Sequence, residues 1–212
     1  MSKIAVQTAE PAIPFVEVEA LDLQARAVHD RIQAAIGFMP NSMLTYLHRP
    51  AIAAALIDLR AAVYAADDDS LPATIQARLG LICSSVNGCA YCTSHQCSSV
   101  QSPKAQVQAA GLTDAQVADL ISGKDEGNDP VERACYAFAR AASFDPGSVS
   151  LEMLQELRTL LTPSQIVQLA AIVGKWKMIN LIHDGLHLPI EDSKLDYLHF
   201  FEAGRGLELG AK

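Results

Sequence analysis

The spacing of apolar residues along the chain predicts helices. In segment 21–36 the apolar residues recur at the spacing of one helix face, and Gly37 can end that helix. No segment alternates apolar and polar residues as a half-buried strand does. The pattern therefore predicts an all-α fold. Further helices are expected at 51–65, 72–85, 89–110, 130–143, 150–160 and 163–185, with short helices between Pro40 and Pro50 and after Thr113.

The chain is expected to form a single helical domain, 1–212. Half of its 212 residues are apolar, which is enough for one substantial core. Residues 1–17 contain Pro11 and Pro14 and predict an irregular N-terminal arm. Residues 192–212 predict a C-terminal helix or arm.

A faint internal repeat suggests that a helix pair has been duplicated. Segment 71–92 can be aligned with segment 162–183, so that Cys92 matches His183. If the two segments pack as equivalent helix-turn-helix units, His183 lies near Cys92.

The charge and hydropathy of the chain limit the classes of partner that it is expected to bind. The net charge is −8 and the basic residues are scattered, whereas binding to nucleic acid needs concentrated positive charge. Prolines and glutamates occupy the first twenty residues, where a secretory signal would be apolar. The most apolar region, 166–182, is interrupted by Gln168, Lys175 and Lys177. We therefore expect a cytoplasmic protein that binds neither nucleic acid nor a membrane.

The five cysteines point to chemistry rather than to structural disulfides. An odd number of cysteines without an export signal is not a disulfide framework. Three cysteines fall within 89–97, and in a reducing compartment such a cluster indicates catalysis or metal binding. Cys83 and Cys135 lie in apolar helical stretches, and Cys97 lies five residues beyond Cys92, so these three are expected to be packing residues.

Cys89 and Cys92 form the candidate redox centre. On a helix, residues three apart place their sulfur atoms on one face within bridging reach. The Asn87-Gly88 turn puts Cys89 at the helix N-terminus, where free N–H groups and the helix dipole lower a thiol pKa. A thiolate attacks peroxides and disulfides, and a second cysteine then resolves the sulfenic acid as a disulfide. His95, one turn further on, can take the thiol proton.

Four auxiliary candidates surround this dithiol. Tyr91 can stack against the site, and Gln96 can form hydrogen bonds there but cannot transfer a proton. The repeat places His183 nearby and aligns Asn180 with Cys89. An asparagine inside a helix commonly satisfies a local backbone group, which is the simpler interpretation of Asn180.

The cysteine motif resembles that of a known family. The stretch 86–95, Val-Asn-Gly-Cys-Ala-Tyr-Cys-Thr-Ser-His, resembles the active-site helix of alkyl hydroperoxidase D-like proteins, in the carboxymuconolactone decarboxylase superfamily. The similarity extends over most of the chain. The segments that resemble the peroxidase-related branch are Pro40-Asn41, His48-Arg49-Pro50, Leu71-Pro72 and 180–191.

The resemblance implies an all-α homo-oligomer, a trimer or a hexamer, that reduces hydroperoxides through thiols. It makes Cys92 the attacking cysteine and Cys89 the resolving cysteine. The resolving cysteine then exchanges with a thiol or dithiol reductant, such as a lipoyl or thioredoxin-like protein. No cofactor and no metal are expected.

Two positions depart from the family pattern. The family has a histidine four residues after the second cysteine, where this chain has Gln96, and His95 stands one residue earlier. The family also has a glutamate twelve residues before the first cysteine, where this chain has Ala77. Either His95, with His183, works without a carboxylate, or peroxidase activity is weak. We predict a functional dithiol and a slow peroxidase.

Two other functions are compatible with the sequence. One is a decarboxylase or lactone-processing relative of the same superfamily, although that chemistry would not need two thiols. The other is a non-catalytic interaction protein stabilised by zinc. Its metal ligands would be Cys89, Cys92, His183 and His187, since no second Cys-x-x-Cys pair is present.

Overall fold

The computed structural model describes residues 10–65, 67–102 and 111–205. Within these ranges the regular structure is helical and no strand occurs, so the all-α prediction is confirmed there. Short 3₁₀ helices span Val18–Ala20, Pro146–Ser148 and Asp192–Tyr197. The described ranges contain ten α-helices: α1 (Leu23–Ile36), α2 (Asn41–Tyr46), α3 (Pro50–Val63), α4 (Ala73–Val86), α5 (Ala90–Val100), α6 (Asp114–Ser122), α7 (Pro130–Phe144), α8 (Leu151–Leu160), α9 (Pro163–Gly185) and α10 (Leu198–Arg205).

Side-chain caps begin several helices where the sequence predicts them. Thr113 and Thr162 each accept a hydrogen bond from the N–H of the glutamine three residues later. The side-chain oxygen of that glutamine accepts a bond from the threonine N–H in return, so two otherwise unpaired donors of the first turn are satisfied. Asp22 caps α1 through one bond, which its side chain accepts from the N–H of Ala25, and Gly37, at a φ of 90°, ends that helix as predicted.

The helix that carries the cysteine motif is shorter than predicted. The expected helix over 89–110 ends at Val100. Ser102 precedes Pro103, and the residue before a proline is sterically disfavoured in the helical conformation. The remainder of the prediction, 103–110, lies outside the described residues.

Helix α9 spans 163–185 as predicted, but the suggested repeat and the predicted cap at Gly185 are not found. Segment 71–92 is divided by a turn into α4 and α5, whereas 162–183 lies along α9 without interruption. The predicted second helix-turn-helix unit is therefore wrong, because residues 175–184 contain no glycine or proline to break the helix. Gly185 is the last residue of α9 rather than its cap, and the residue with left-handed backbone is His187, at a φ of 51°.

The two ends of the chain are described in part. Residues 10–17 contain no helix, and α10 covers 198–205. The predictions for 1–9 and 206–212 lie outside the described residues. No helix of the described ranges combines the length and the apolar character needed to cross a membrane.

Helix α4 lies at the centre of the core. It packs against α5, α6, α7 and α9, and its Leu79, Leu81 and Ile82 side chains are fully buried. Burial of each such side chain stabilises the fold by roughly 1.5–3 kcal/mol. Helix α9 also contacts α3, α5 and α7. This packing brings the start of α5 against the last turns of α9, where Cys92 meets His183.

Gly80 allows α4 to approach α5 and α9 closely. A Cβ atom added at Gly80 would lie 2.5 Å from Oε1 of Gln96 on α5 and 2.8 Å from the ring of Trp176 on α9. Both distances are far shorter than a van der Waals contact. The missing side chain therefore sets the spacing between α4, α9 and α5, the helix that carries the cysteine motif.

Gly80→Ala is expected to lower the free energy of unfolding by about 1–3 kcal/mol, because the added methyl group overpacks this crossing. Gly174 lies on α9 with nothing within 4 Å of an added Cβ. Gly174→Ala is therefore the matched control and is expected to raise stability by about 0.5–1 kcal/mol through helix propensity. Urea unfolding followed by circular dichroism measures both. A Gly80→Ala variant as stable as the wild type would contradict the close approach.

Candidate active site

Cys89 and Cys92 occupy the first turn of α5. The preceding turn is closed by Gly88, whose φ of 70° suits glycine. Cys89 is the N-cap, and its Sγ accepts a hydrogen bond from the backbone N–H of Cys92 at 3.3 Å. Both cysteines are buried and neither is in a disulfide. The helix start therefore holds two reduced thiols beside each other.

His183 contacts the thiol of Cys92 directly. Its Nδ1 lies 3.2 Å from Cys92 Sγ. Burial, followed by the charge of nearby His95, lowers the pKa of His183 to about 3. The imidazole is therefore neutral near pH 7, so Nδ1 accepts from the thiol and the ring proton is assigned to Nε2. Nε2 is buried and has no hydrogen-bond partner among the described residues.

The environment of Cys92 keeps its thiol protonated at rest. Burial, together with the hydrogen bond and charge of Cys89, raises the pKa of Cys92 well above its ordinary value. The lowered thiol pKa expected at this helix start therefore does not apply to Cys92. A reactive thiolate can form there only when a neighbouring base takes the proton, and His183 is in position to do so.

Glu191 is a site residue that the sequence analysis missed. Its Oε1 accepts hydrogen bonds from the N–H of Asn41 at 2.6 Å and from the hydroxyl of Tyr91 at 2.8 Å, and its Oε2 lies 2.5 Å from Nε2 of His95. Burial alone would raise the pKa of Glu191, but the bonds from His95 and Asn41 outweigh it, and the pKa is lowered. The expectation that His95 works without a carboxylate is therefore wrong, since the acid comes from the far end of the chain instead of from position 77.

His95 and His183 are joined by the ring of Tyr91. The Tyr91 ring stacks on His95 with 4.5 Å between centroids and meets His183 edge-on at 4.9 Å. His95 thus shares the site with Cys92, but its Nε2 is directed at Glu191. The contact with the Cys92 sulfur is made by His183.

A cavity of about 470 Å³ lies next to these residues. Cys92 is part of its lining, whereas Cys89 is not. A molecule in the cavity would therefore meet the Cys92 thiol first, with the Cys89 thiol behind it. Further lining residues include His95, His183, Tyr91, Tyr64, Trp176 and Lys175.

No protein-family model matches the sequence, and no curated protein matches it. Solved structures do match. The AhpD core of an uncharacterized peroxidase-related protein from Ralstonia eutropha JMP134 superposes with a TM-score of 0.70 at 24% identity, over 93% of this chain and 98% of that one. An uncharacterized peroxidase-related protein from Silicibacter sp. TM1040 gives a TM-score of 0.73 at 16% identity, over 89% and 96% of the two chains. The chain has the alkylhydroperoxidase AhpD fold.

The debrominase Bmp8 shares this AhpD fold. A cysteine-to-alanine variant of Bmp8 in complex with 2,3,4-tribromopyrrole superposes with a TM-score of 0.72 at 22% identity, over 92% of this chain and 99% of that one. The fold implied by the sequence resemblance is thus confirmed. At these identities the likeness establishes the AhpD fold and leaves the reaction open.

The AhpD fold places the other predicted residues in two groups. Gln96 is half-buried and lines the cavity, as does Ala77, which supplies no carboxylate. Asn180 is buried away from the lining; it donates to the carbonyl of Cys83 at 3.3 Å and accepts from Ser84 Oγ at 3.4 Å. Both contacts join α9 to α4, so Asn180 satisfies groups of another helix rather than the local backbone group of the simpler interpretation.

The four proposed zinc ligands are not assembled in this AhpD fold. His187 is exposed and lies beyond the end of α9, whereas His183, Cys89 and Cys92 are buried. Among the described residues, no group of three or more His, Cys, Asp or Glu side chains is arranged to hold a metal ion. The geometry therefore does not support the zinc-stabilised alternative.

Glu191→Gln is expected to lower the free energy of unfolding at about pH 7 by about 2 kcal/mol, because three donors lose a charged acceptor. The folded pKa of Glu191 is below its ordinary 4.5. The stabilisation is therefore complete above that value and is lost as the pH falls through the lowered pKa. Urea unfolding should show the gap between wild type and variant closing in acid.

The control for this prediction is Glu156→Gln. Glu156 is exposed on α8, so its replacement should change stability by less than about 0.5 kcal/mol. Equal stability of the Glu191→Gln variant and the wild type at neutral pH would contradict the role assigned to the carboxylate.

Proposed function

We propose that this chain is a dithiol oxidoreductase that reduces organic hydroperoxides. The observation that carries the proposal is the position of Cys92, which lines the cavity, lies 3.2 Å from the neutral base His183 and has a second thiol beside it. A nucleophile, a base within hydrogen-bond reach and a resolving thiol are the groups that this chemistry needs. The resemblance of the motif to alkyl hydroperoxidase D-like proteins points the same way.

In the first step Cys92 is oxidised and the peroxide is reduced. The Cys92 proton moves to Nδ1 of His183, and the thiolate attacks the terminal peroxide oxygen. An S–O bond forms, the O–O bond breaks, and the leaving alkoxide takes the proton back from His183. The products are a sulfenic acid on Cys92 and an alcohol.

In the second step Cys89 resolves the sulfenic acid. Its sulfur attacks Cys92 Sγ, a disulfide forms and the sulfenic oxygen leaves as water. An external dithiol then reduces the disulfide by two exchange steps and is itself oxidised. The placement of Cys89 beside Cys92 but outside the cavity lining suits this order of events.

The contact between His95 and Glu191 fixes the positions of the surrounding site residues. The pair ties α5 to the segment that follows α9 through the contact between His95 Nε2 and Glu191 Oε2. Since Tyr91 donates to the same carboxylate and packs on His183, the pair also orients the base. We assign Tyr91 a positioning role, and His95 remains a proton-transfer candidate within the cavity.

The lining of the cavity favours an organic peroxide over hydrogen peroxide. Trp176, Tyr64 and Phe38 present aromatic rings in it, and such surfaces bind apolar bodies. Hydrogen peroxide would leave this surface unused.

Reductive removal of bromine from an aromatic ring is a second candidate. Its support is the fold shared with the debrominase Bmp8 together with the aromatic lining. In this reaction Cys92 would take the bromine, the ring carbon would take a proton, and Cys89 would displace bromide to form the same disulfide. Bromide release from 2,3,4-tribromopyrrole in the presence of dithiothreitol separates this reaction from peroxide reduction.

Cys92→Ser is expected to abolish consumption of cumene hydroperoxide with dithiothreitol, because the attacking sulfur is lost. Without dithiothreitol, Cys89→Ser should consume about one equivalent per chain, since the first step needs only one thiol and no external thiol is present to reduce the sulfenic acid. The resulting sulfenic acid on Cys92 would be trapped by dimedone and located by peptide mass spectrometry.

Cys97→Ala is the matched control, because Cys97 lies on the same helix but does not line the cavity. It should leave the rate unchanged. If Cys92→Ser still consumes one equivalent and Cys89→Ser consumes none, the roles of the two cysteines are reversed. Wild-type protein that consumes no hydroperoxide would overturn the proposal.

A further inference from the structure

Lys175 is a buried amine with no anionic partner among the described residues. Only 6% of the residue is exposed, and its Nζ lies 3.8 Å from the ring centroid of Trp176 and 5.0 Å from that of Tyr64. No described carboxylate or hydrogen-bond acceptor pairs with it. Burying a charged amine is costly unless the charge is compensated, and an anion in contact with Nζ would compensate it.

The cavity that contains Lys175 has a basic lining. Arg60, Lys175 and Lys194 line it, and no aspartate or glutamate does among the residues that the structure describes. This contrasts with the net charge of −8 of the whole chain. Lys194 already donates to Ser98 Oγ at 2.7 Å, which leaves Lys175 as the buried unpaired cation. An anion would be attracted to these cations. The nearby Glu191 carboxylate is already bonded to His95 and Tyr91 and does not line the cavity.

The chemistry of Lys175 suits contact with an anion. Burial, then the charge of Arg60, lowers its pKa to about 7. An anion within contact distance would act in the opposite direction and favour the ammonium form. The amine and the Cys92 thiol line the same cavity, so a single bound molecule can reach both.

We propose that the cavity takes its substrate as an organic anion, with the anionic group on Lys175 and the apolar body against Trp176 and Tyr64. This assignment of a substrate rests on the proposed function, and it selects hydroperoxides that carry a carboxylate on an apolar skeleton. Binding of the anion can be measured without turnover. Lys175 is then the residue that determines specificity, and Cys92 is the residue that reacts.

Trp176 provides a direct readout, because it is the one tryptophan of the chain and lies in the cavity. The full-length reduced protein is titrated with 4-bromobenzoate and with its neutral counterpart 4-bromobenzamide, and quenching of Trp176 fluorescence is measured. The anion is expected to bind about tenfold or more tightly than the amide, as a charge-assisted contact predicts. Equal affinities would overturn the proposal.

Lys175→Met tests the assignment to this residue. It keeps an unbranched side chain that is one atom shorter, removes the charge and should reduce benzoate affinity to that of the amide, with calorimetry as a second readout. Lys177→Met is the matched control on the same helix, since Lys177 is not in the lining, and the preference for benzoate should persist in it. A preference that survives in Lys175→Met, or is lost in Lys177→Met, would contradict the role of Lys175.

The pH dependence of the wild type gives a test that needs no variant. Benzoate affinity should fall as the pH rises from about 6 to about 9, because Lys175 loses its proton in this range, while amide affinity should stay constant. A benzoate affinity that does not change would count against the proposal. The ionisable groups whose charges or rings act on Lys175 are Arg60, Tyr64, Cys83, Cys92 and His183.

The experiments test the anion site and the proposed hydroperoxide reduction separately. No hydroperoxide takes part in the titrations. A protein that prefers benzoate but shows no hydroperoxide reduction would overturn the proposed function and leave the anion site standing. A protein that reduces hydroperoxides but binds benzoate no better than benzamide would overturn the anion site and leave the proposed function standing.

Discussion

The largely covered carboxylate of Glu191 is the constraint on which the site depends. A carboxylate with 14% of its side chain exposed must be satisfied by donors. Its three donors are the N–H of Asn41, the hydroxyl of Tyr91 and the ring of His95, which lie 150, 100 and 96 residues away in sequence. One charge therefore ties the α2 start, the cysteine helix and the segment after α9 together. Because Tyr91 also packs on His183, this arrangement fixes the base that contacts the thiol.

In this site the Cys92 thiol does not readily lose its proton, and the neighbouring His183 does not readily take one up. Burial raises the pKa of Cys92 and lowers that of His183 to about 3. Both groups are neutral at rest, so the resting thiol is a poor target for unselective oxidants. In the proposed reaction, proton transfer across the 3.2 Å contact creates the nucleophile when the peroxide is bound. The same contact would then account for a thiol that is unreactive at rest and reactive towards its substrate.

Local features of the sequence predicted local features of the structure. The capping boxes at Thr113 and Thr162 depend on residues three apart, and both are present. The dithiol was equally visible, because Cys89 and Cys92 lie within one turn. Glu191 was missed because its role depends on a contact 96 residues away, and no local pattern marks a glutamate that becomes buried. Likewise, in the sequence Lys175 only interrupts an apolar region, and its burial is visible only once the helices have packed around it.

The central claim is that Cys92 and Cys89 form a redox pair activated by His183. The most direct measurement is the time course of free thiols after one equivalent of cumene hydroperoxide, with peptide mapping of the product. The wild type should lose two thiols per chain and yield a disulfide between Cys89 and Cys92, and His183→Gln should do so about 10²-fold more slowly. Five thiols remaining in the wild type, or equal rates in the two proteins, would contradict the account.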